Sequence, residues 1–144
     1  MADVADEHHQ PSLIHLLHRA SRSADRLFMR SMSALGLTYR DFATLQAVAA
    51  DDGLSQTGIM ATTGFERSST AELVGRLVRK GLLTRRRSRR DTRLYVVRLT
   101  PQGRAVLTRA TPKAHEAELR LSELVASPSK EDLFESLSRL VQAE

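Results

Sequence analysis

The feature that most constrains this chain is a change of apolar period just after Gly81. Up to Lys80 the apolar residues recur at helical intervals, ending in the stripe Leu73, Val74, Leu77 and Val78. Beyond Gly81, two short aliphatic and β-branched runs, Leu82–Arg85 and Leu94–Leu99, enclose Arg86-Arg87-Ser88-Arg89-Arg90-Asp91-Thr92-Arg93. Runs of this length and composition predict strands, and the pair predicts a two-stranded hairpin with a very basic tip. The chain must therefore fold as helices with a small β-hairpin attached.

The helices are punctuated clearly. Apolar residues Leu13, Leu16, Leu17, Ala20, Ala24, Leu27, Phe28 and Met32 predict a first helix from Ser12 or Leu13 to about Leu35, stopped by Gly36. Thr38 with Asp41 three residues on predicts the N-terminus of a second, running to about Ala50 with Phe42, Leu45, Val48 and Ala49 inward. Asp51-Asp52-Gly53 is a break. Ser55 caps a short third helix, Gln56 to Thr62, anchored by Ile59 and Met60. After the turn at Thr63-Gly64, a fourth helix spans about Arg67 to Lys80, with Gly81 in the usual C-terminal position.

Thr100-Pro101 restarts a helix, since proline at the first helical position lacks only an N–H that has no partner there. Val106, Leu107, Ala110, Ala114, Ala117 and Leu121 carry it to about Val125, and Pro112 is expected to kink it. Ser127-Pro128-Ser129 breaks and caps a last helix with Leu133, Phe134, Leu137, Leu140 and Val141 on one face. Residues 1–10 are expected to be a flexible arm.

Helix, short helix, glycine turn, helix, basic hairpin is the order of a winged helix-turn-helix. Charge agrees with it. Residues 66–104 hold twelve Lys/Arg against three Asp/Glu, a net +9; the whole chain is +5, so the other 105 residues carry −4. A basic block on an acidic body is the footprint of a nucleic-acid binder, although a solvated basic face has the same composition. The fourth helix would be the recognition helix, turning Arg67, Ser68, Ser69, Glu72, Arg76 and Arg79 outward. Arginine pairs bidentately with guanine, serine is permissive, and glutamate accepts from cytosine N4. The hairpin arginines Arg86, Arg87, Arg89, Arg90 and Arg93 would neutralise phosphates or enter a narrow minor groove.

At residues 35–108 the chain resembles the MarR family, the multiple antibiotic resistance regulators. The resemblance is carried by Leu35-Gly36-Leu37-Thr38, Leu54-Ser55-Gln56, Leu77-Val78-Arg79-Lys80-Gly81-Leu82-Leu83, Asp91-Thr92-Arg93, and Leu99-Thr100-Pro101-Gln102-Gly103. The flanking helices fit the same plan. The resemblance implies a mainly α homodimer: an N-terminal arm (1–10), a helical dimerisation domain (11–35 with 101–144) and a winged helix-turn-helix domain (36–100). It implies two modules reading the halves of a near-palindromic double-stranded operator, and a repressor released by a small ligand, often an aromatic acid or phenolic. It places Ser55, Gln56, Arg67, Ser68, Ser69, Thr70 and Arg76 at DNA, with Asp91 and Arg93 as the wing pair. Thr70 lies close to the apolar stripe, so an inward position is an alternative. Asp91 either holds a neighbouring arginine in a fixed pose or only caps the hairpin turn. Glu66 at the recognition-helix cap departs from the preferred Ser, Thr or Asp.

The dimer has an independent argument: wide apolar faces on the first, fifth and sixth helices would be left wet in a monomer. Its symmetry would set two recognition helices about 34 Å apart. A ligand pocket is expected between the first, second and fifth helices, with His15, His18, Arg22, Phe28, Tyr39 and Phe42 as candidates. Cationic groups beside aromatic walls would suit an anionic aromatic ligand. Plain core is the competing reading for Phe28 and Phe42, and Arg22 pairing with Asp25 or Asp41 competes for the arginine.

Other classes lack support. With no cysteine, thiolate metal sites, disulfides and thiol redox chemistry are excluded. His15 and His18 have a spacing that can share a metal, but further ligands are missing and no cofactor is implied. Met29, Met32 and Met60 are expected in the core. No nucleophile elbow, phosphate loop or carboxylate pair suggests an enzyme. No apolar run approaches the roughly 18 residues of a membrane span, and a cytoplasmic protein without membrane contact is the expectation.

Overall fold

A computed structural model describes residues 12–125 and 129–143. The expected arm at 1–10 and the Ser127-Pro128 break lie outside the described residues. The elements run α1 (Leu13–Ser31), α2 (Tyr39–Ala50), β1 (Leu54–Ser55), α3 (Gln56–Thr63), α4 (Arg67–Arg79), β2 (Leu83–Arg87), β3 (Tyr95–Leu99), α5 (Pro101–Leu124) and α6 (Ser129–Gln142). None of these helices is long and apolar enough to cross a membrane.

Local chemistry sets most boundaries. Thr38 and Asp41 form a reciprocal capping box: Thr38 Oγ1 accepts from the Asp41 N–H at 3.1 Å and Asp41 Oδ2 from the Thr38 N–H at 3.0 Å. Ser55 Oγ caps α3 by accepting from the Gly58 N–H at 3.0 Å. Thr100 Oγ1 caps α5 by accepting from the Gly103 N–H and also donates to the Gly81 carbonyl at 2.6 Å. Gly81, at φ +72°, turns the chain from α4 into β2, a conformation that L side chains rarely adopt. Gly103 is needed for another reason. A Cβ there would collide with the Leu82 carbonyl, so the first turn of α5 can lie against the α4–β2 corner only without one.

The sheet has three antiparallel strands in the order β1-β3-β2. The hairpin register pairs Leu83 with Leu99 and Arg87 with Tyr95. The two-stranded expectation is corrected by β1, where Leu54 and Ser55 pair with Val97 and Val96. The core gathers Phe28 from α1, Met32 from the turn after it, Phe42, Leu45 and Val48 from α2, Ile59 from α3, Leu73, Val74 and Leu77 from α4, Leu83 and Val97 from the sheet, and Ala110 and Ala117 from α5. Three expectations change in detail. Ala49 is exposed and Ala47 is buried in its place. Met29 is exposed, whereas Met32 is fully buried and Met60 half-buried. The first helix stops at Ser31, and Met32 to Gly36 form a turn. The fifth helix continues without a break through Pro112.

The outer helices are different. Leu13 and Ile14 on α1, Leu119 and Leu124 on α5, and Leu133, Phe134, Leu140 and Val141 on α6 are all exposed, and α6 buries no residue.

Candidate nucleic-acid interface

The interface is built from α4 and the hairpin. The stripe Thr70, Leu73, Val74 and Leu77 seats α4 on the core, which turns the opposite side outward. Arg67, Ser68, Glu72 and Arg79 are exposed, and Ser69 is half-buried. Glu66 occupies the N-cap without a side-chain cap bond, so no side chain satisfies the first-turn N–H groups of α4. An uncapped helix N-terminus beside Arg67 is an electropositive end suited to a phosphate. Ser55 and Gln56 are half-buried at the start of α3, and the Ser55 hydroxyl oxygen is engaged in capping.

Two expected contacts read differently in the fold. Thr70 is completely buried and its hydroxyl donates to the Glu66 carbonyl at 2.8 Å, which removes it from the DNA-facing set. Its place one turn before Leu73 and Val74 on the seated stripe is the physical reason. Arg76 is not a free groove-reading arm. Its Nη2 lies 2.5 Å from Oδ1 of Asp41, a carboxylate only 1% exposed, and the competing pairing of Arg22 with Asp25 or Asp41 is not formed among the described residues. The same Asp41 therefore closes the capping box of α2 with one oxygen and tethers α4 with the other.

The hairpin tip is shaped by backbone chemistry. Ser88 Oγ accepts from the Arg90 and Asp91 N–H groups, and Asp91 Oδ1 accepts from the Arg93 N–H at 2.9 Å. The Ser88 N–H donates to the Leu94 carbonyl at 2.7 Å and the Leu94 N–H to the Asp91 carbonyl at 3.0 Å. Asp91 thus caps the turn and makes no ion pair with an arginine among the described residues. Arg86, Arg87, Arg89, Arg90 and Arg93 are all exposed, and none is ion-paired among the described residues. Arg98 on β3 is instead paired with Asp52 in the turn before β1.

Tyr95 is the wing residue that sequence reasoning missed. The Arg85 guanidinium lies 4.4 Å from its ring centroid and that of Arg87 5.7 Å. Arg85 and Arg87 share one face of β2, and Arg87 is directly opposite Tyr95. The aromatic face holds two like charges in position without neutralising them. Hairpin register and the two-residue strand period were the available signal.

A second feature lies on the other side of α2. A cavity of about 320 Å³ opens between α1, α2 and α5, lined by Ser21, Ala24, Asp25, Leu27 and Phe28, by Tyr39 and Phe42, and by Ala114, Ala117, Glu118 and Leu121. Phe28 meets Tyr39 edge-on at 5.6 Å between centroids and Phe42 at a tilt, also at 5.6 Å. Of the six expected pocket residues, Phe28, Tyr39 and Phe42 line it and His15, His18 and Arg22 do not. At about 100° per residue, Arg22 and His15 fall about 120° and 140° around α1 from Phe28, and His18 lies one turn before Ser21, where the α1 lining begins. All three are exposed, and Arg22 borders a separate surface depression with Arg19, Ser23 and Arg26. Among the described residues no three His, Asp or Glu side chains converge as metal ligands.

A model of the MarR family matches residues 35–94. The chain is 30% identical over 129 residues to a protein of Thauera aromatica named "Putative transcriptional regulatory protein for hcr operon", covering 89% of this chain and 78% of that one. Among solved structures, the transcriptional repressor CouR bound to a 23-mer DNA duplex is 31% identical, with TM-score 0.80 over 90% of this chain and 92% of its own. The PcaV transcriptional regulator from Streptomyces coelicolor, in complex with its natural ligand, is 29% identical, with TM-score 0.82 over 99% of both chains.

Proposed function

Since the chain belongs to the MarR family of transcriptional regulators, which are not enzymes, we propose that it acts as a cytoplasmic, homodimeric, sequence-specific repressor of an operator in double-stranded DNA. In this reading residues 36–100 are the DNA-binding module, and residues 11–35 with 101–144 the dimerisation domain. Arg67, Ser68 and Ser69 at the open end of α4 approach the major groove, and the wing arginines engage the flanking backbone or minor groove.

The observation that carries the proposal is unneutralised charge in a fixed frame. Six arginines between Arg85 and Arg93 are exposed without an acidic partner among the described residues, on a hairpin whose turn is hydrogen-bonded into one shape. Such charge gains most when it displaces counterions from phosphates. The exposed apolar side chains of α1, α5 and α6 support a second copy as the partner that covers them. The cavity beside α2 supports release by a small aromatic or phenolic ligand, because its wall includes the helix that Asp41 joins to α4.

The test is fluorescence anisotropy with labelled duplex from the gene's own upstream intergenic region and with a scrambled duplex, at two salt concentrations. Discrimination of ~10³-fold or more, with two chains per site, is expected of a specific dimeric regulator. Equal, steeply salt-dependent binding to both duplexes would replace this reading with that of a non-specific architectural binder.

A further inference from the structure

The cavity between α1, α2 and α5 carries a charge pattern opposite to the one a basic rim would give. Its charged lining residues are Asp25 on α1 and Glu118 on α5, both exposed at its rim, and among the described residues no lysine, arginine or histidine lines it. Neither carboxylate forms an ion pair among the described residues, so both charges remain available to an occupant. Between them the wall is apolar and aromatic, with Phe28 packed against Tyr39 and Phe42. The three basic groups that would have favoured an anion, His15, His18 and Arg22, are exposed elsewhere on α1.

We propose that this cavity binds an organic cation: an ammonium group held between Asp25 and Glu118, on an aromatic or aliphatic body seated against Phe28, Tyr39 and Phe42. The proposal rests on the reading of the cavity as the effector site and assigns its ligand class. Two mechanisms favour a cation over an acid of the same shape. The carboxylates attract an ammonium and repel a carboxylate, and aromatic faces add a quadrupole attraction for positive charge. A volume of about 320 Å³ is at the small end of ligand pockets, which fits a one-ring amine rather than a large polycyclic compound.

The experiment is isothermal titration calorimetry on the full chain with three probes of matched shape: 2-phenylethylammonium, neutral 2-phenylethanol and anionic 3-phenylpropionate. The expected order is ammonium over alcohol over acid, with about tenfold or more between the first and the last. Asp25→Asn combined with Glu118→Gln should lower ammonium affinity about tenfold and leave 2-phenylethanol affinity unchanged, which also reports an intact fold. Tighter binding of 3-phenylpropionate than of the ammonium, lost on Phe28→Ala, would overturn the cation assignment while keeping the cavity as a ligand site. Heats that are absent for all three probes, or unaffected by Phe28→Ala, would overturn both the assignment and the effector reading beneath it.

Discussion

The middle of this chain and its ends solve the problem of apolar burial differently. Between Leu37 and Val97, large apolar side chains close on one another: Leu45, Ile59, Leu77, Leu83 and Val97 are each at most 2% exposed. In the outer helices the same kinds of residue face outward, with Phe134 74% and Val141 79% exposed. The first region closes its core inside the chain, with Phe28 and Met32 before it and Ala110 and Ala117 of α5 completing the packing. The second presents an apolar stripe at helical spacing that no other described residue covers. On the proposed reading, the part that would meet DNA is packed within the chain, and the elements that would fix the distance between two such parts keep apolar faces uncovered among the described residues.

The largest effect that could break this contrast is at α6. Phe134→Glu with Val141→Glu should leave the winged module folded but reduce the particle from two chains to one by light scattering. Operator affinity should fall about 10²-fold or more as the two half-sites cease to be bound together. An unchanged mass would place the dimer contact elsewhere. In the closed core, Ile59→Ala should cost about 2–5 kcal/mol in urea unfolding with no change in the oligomeric state. Asp41→Asn is expected to cost about 1–3 kcal/mol, since it weakens a buried bond to a charged group and leaves the guanidinium of Arg76 without its ionic partner. A loss of operator discrimination exceeding the loss of stability would sharpen the contrast, because it would mean that the core also aims the recognition helix. The smallest effect on stability is expected at the wing. Arg89→Ala with Arg90→Ala should stay within about 0.5 kcal/mol of the parent, while the slope of log affinity against log salt falls by about 2.

What could be read before folding follows from the range over which each signal acts. The Thr38–Asp41 box, the Ser55 cap and the Thr100-Pro101 start are complete within four residues, and helices begin at all three. The hairpin was legible because its strands flank one basic tip. Strand β1 was not, because two residues carry no period and Leu54–Ser55 are extended only by pairing with Val96 and Val97. Thr70 was ambiguous because threonine is at home on either side of a helix, and the seat of α4 on the core decided it. The tie between Asp41 and Arg76 joins residues 35 apart, and nothing local distinguishes Asp41 from an ordinary capping acid. The cavity was anticipated at Phe28, Tyr39 and Phe42, but its charge was not. Asp25 and Glu118 come to line one cavity only when α1 packs on α5, whereas His15, His18 and Arg22 lie outside its lining.

The double use of Asp41 has a mechanical consequence. The carboxylate end of its charge-assisted bond to Arg76 is 1% exposed and the Arg76 side chain 43%, so water reaches the pair only from the arginine side. The other oxygen of the same carboxylate holds the N–H of Thr38 at the start of α2, so a displaced Asp41 gives up both bonds. The angle between α2 and the recognition helix is thus held as by a latch rather than by a spring: seated, or released as a unit. A regulator jointed in this way is expected to answer a signal in steps, with each molecule either competent for DNA or not, and a graded response would arise only from the proportion of molecules in each condition.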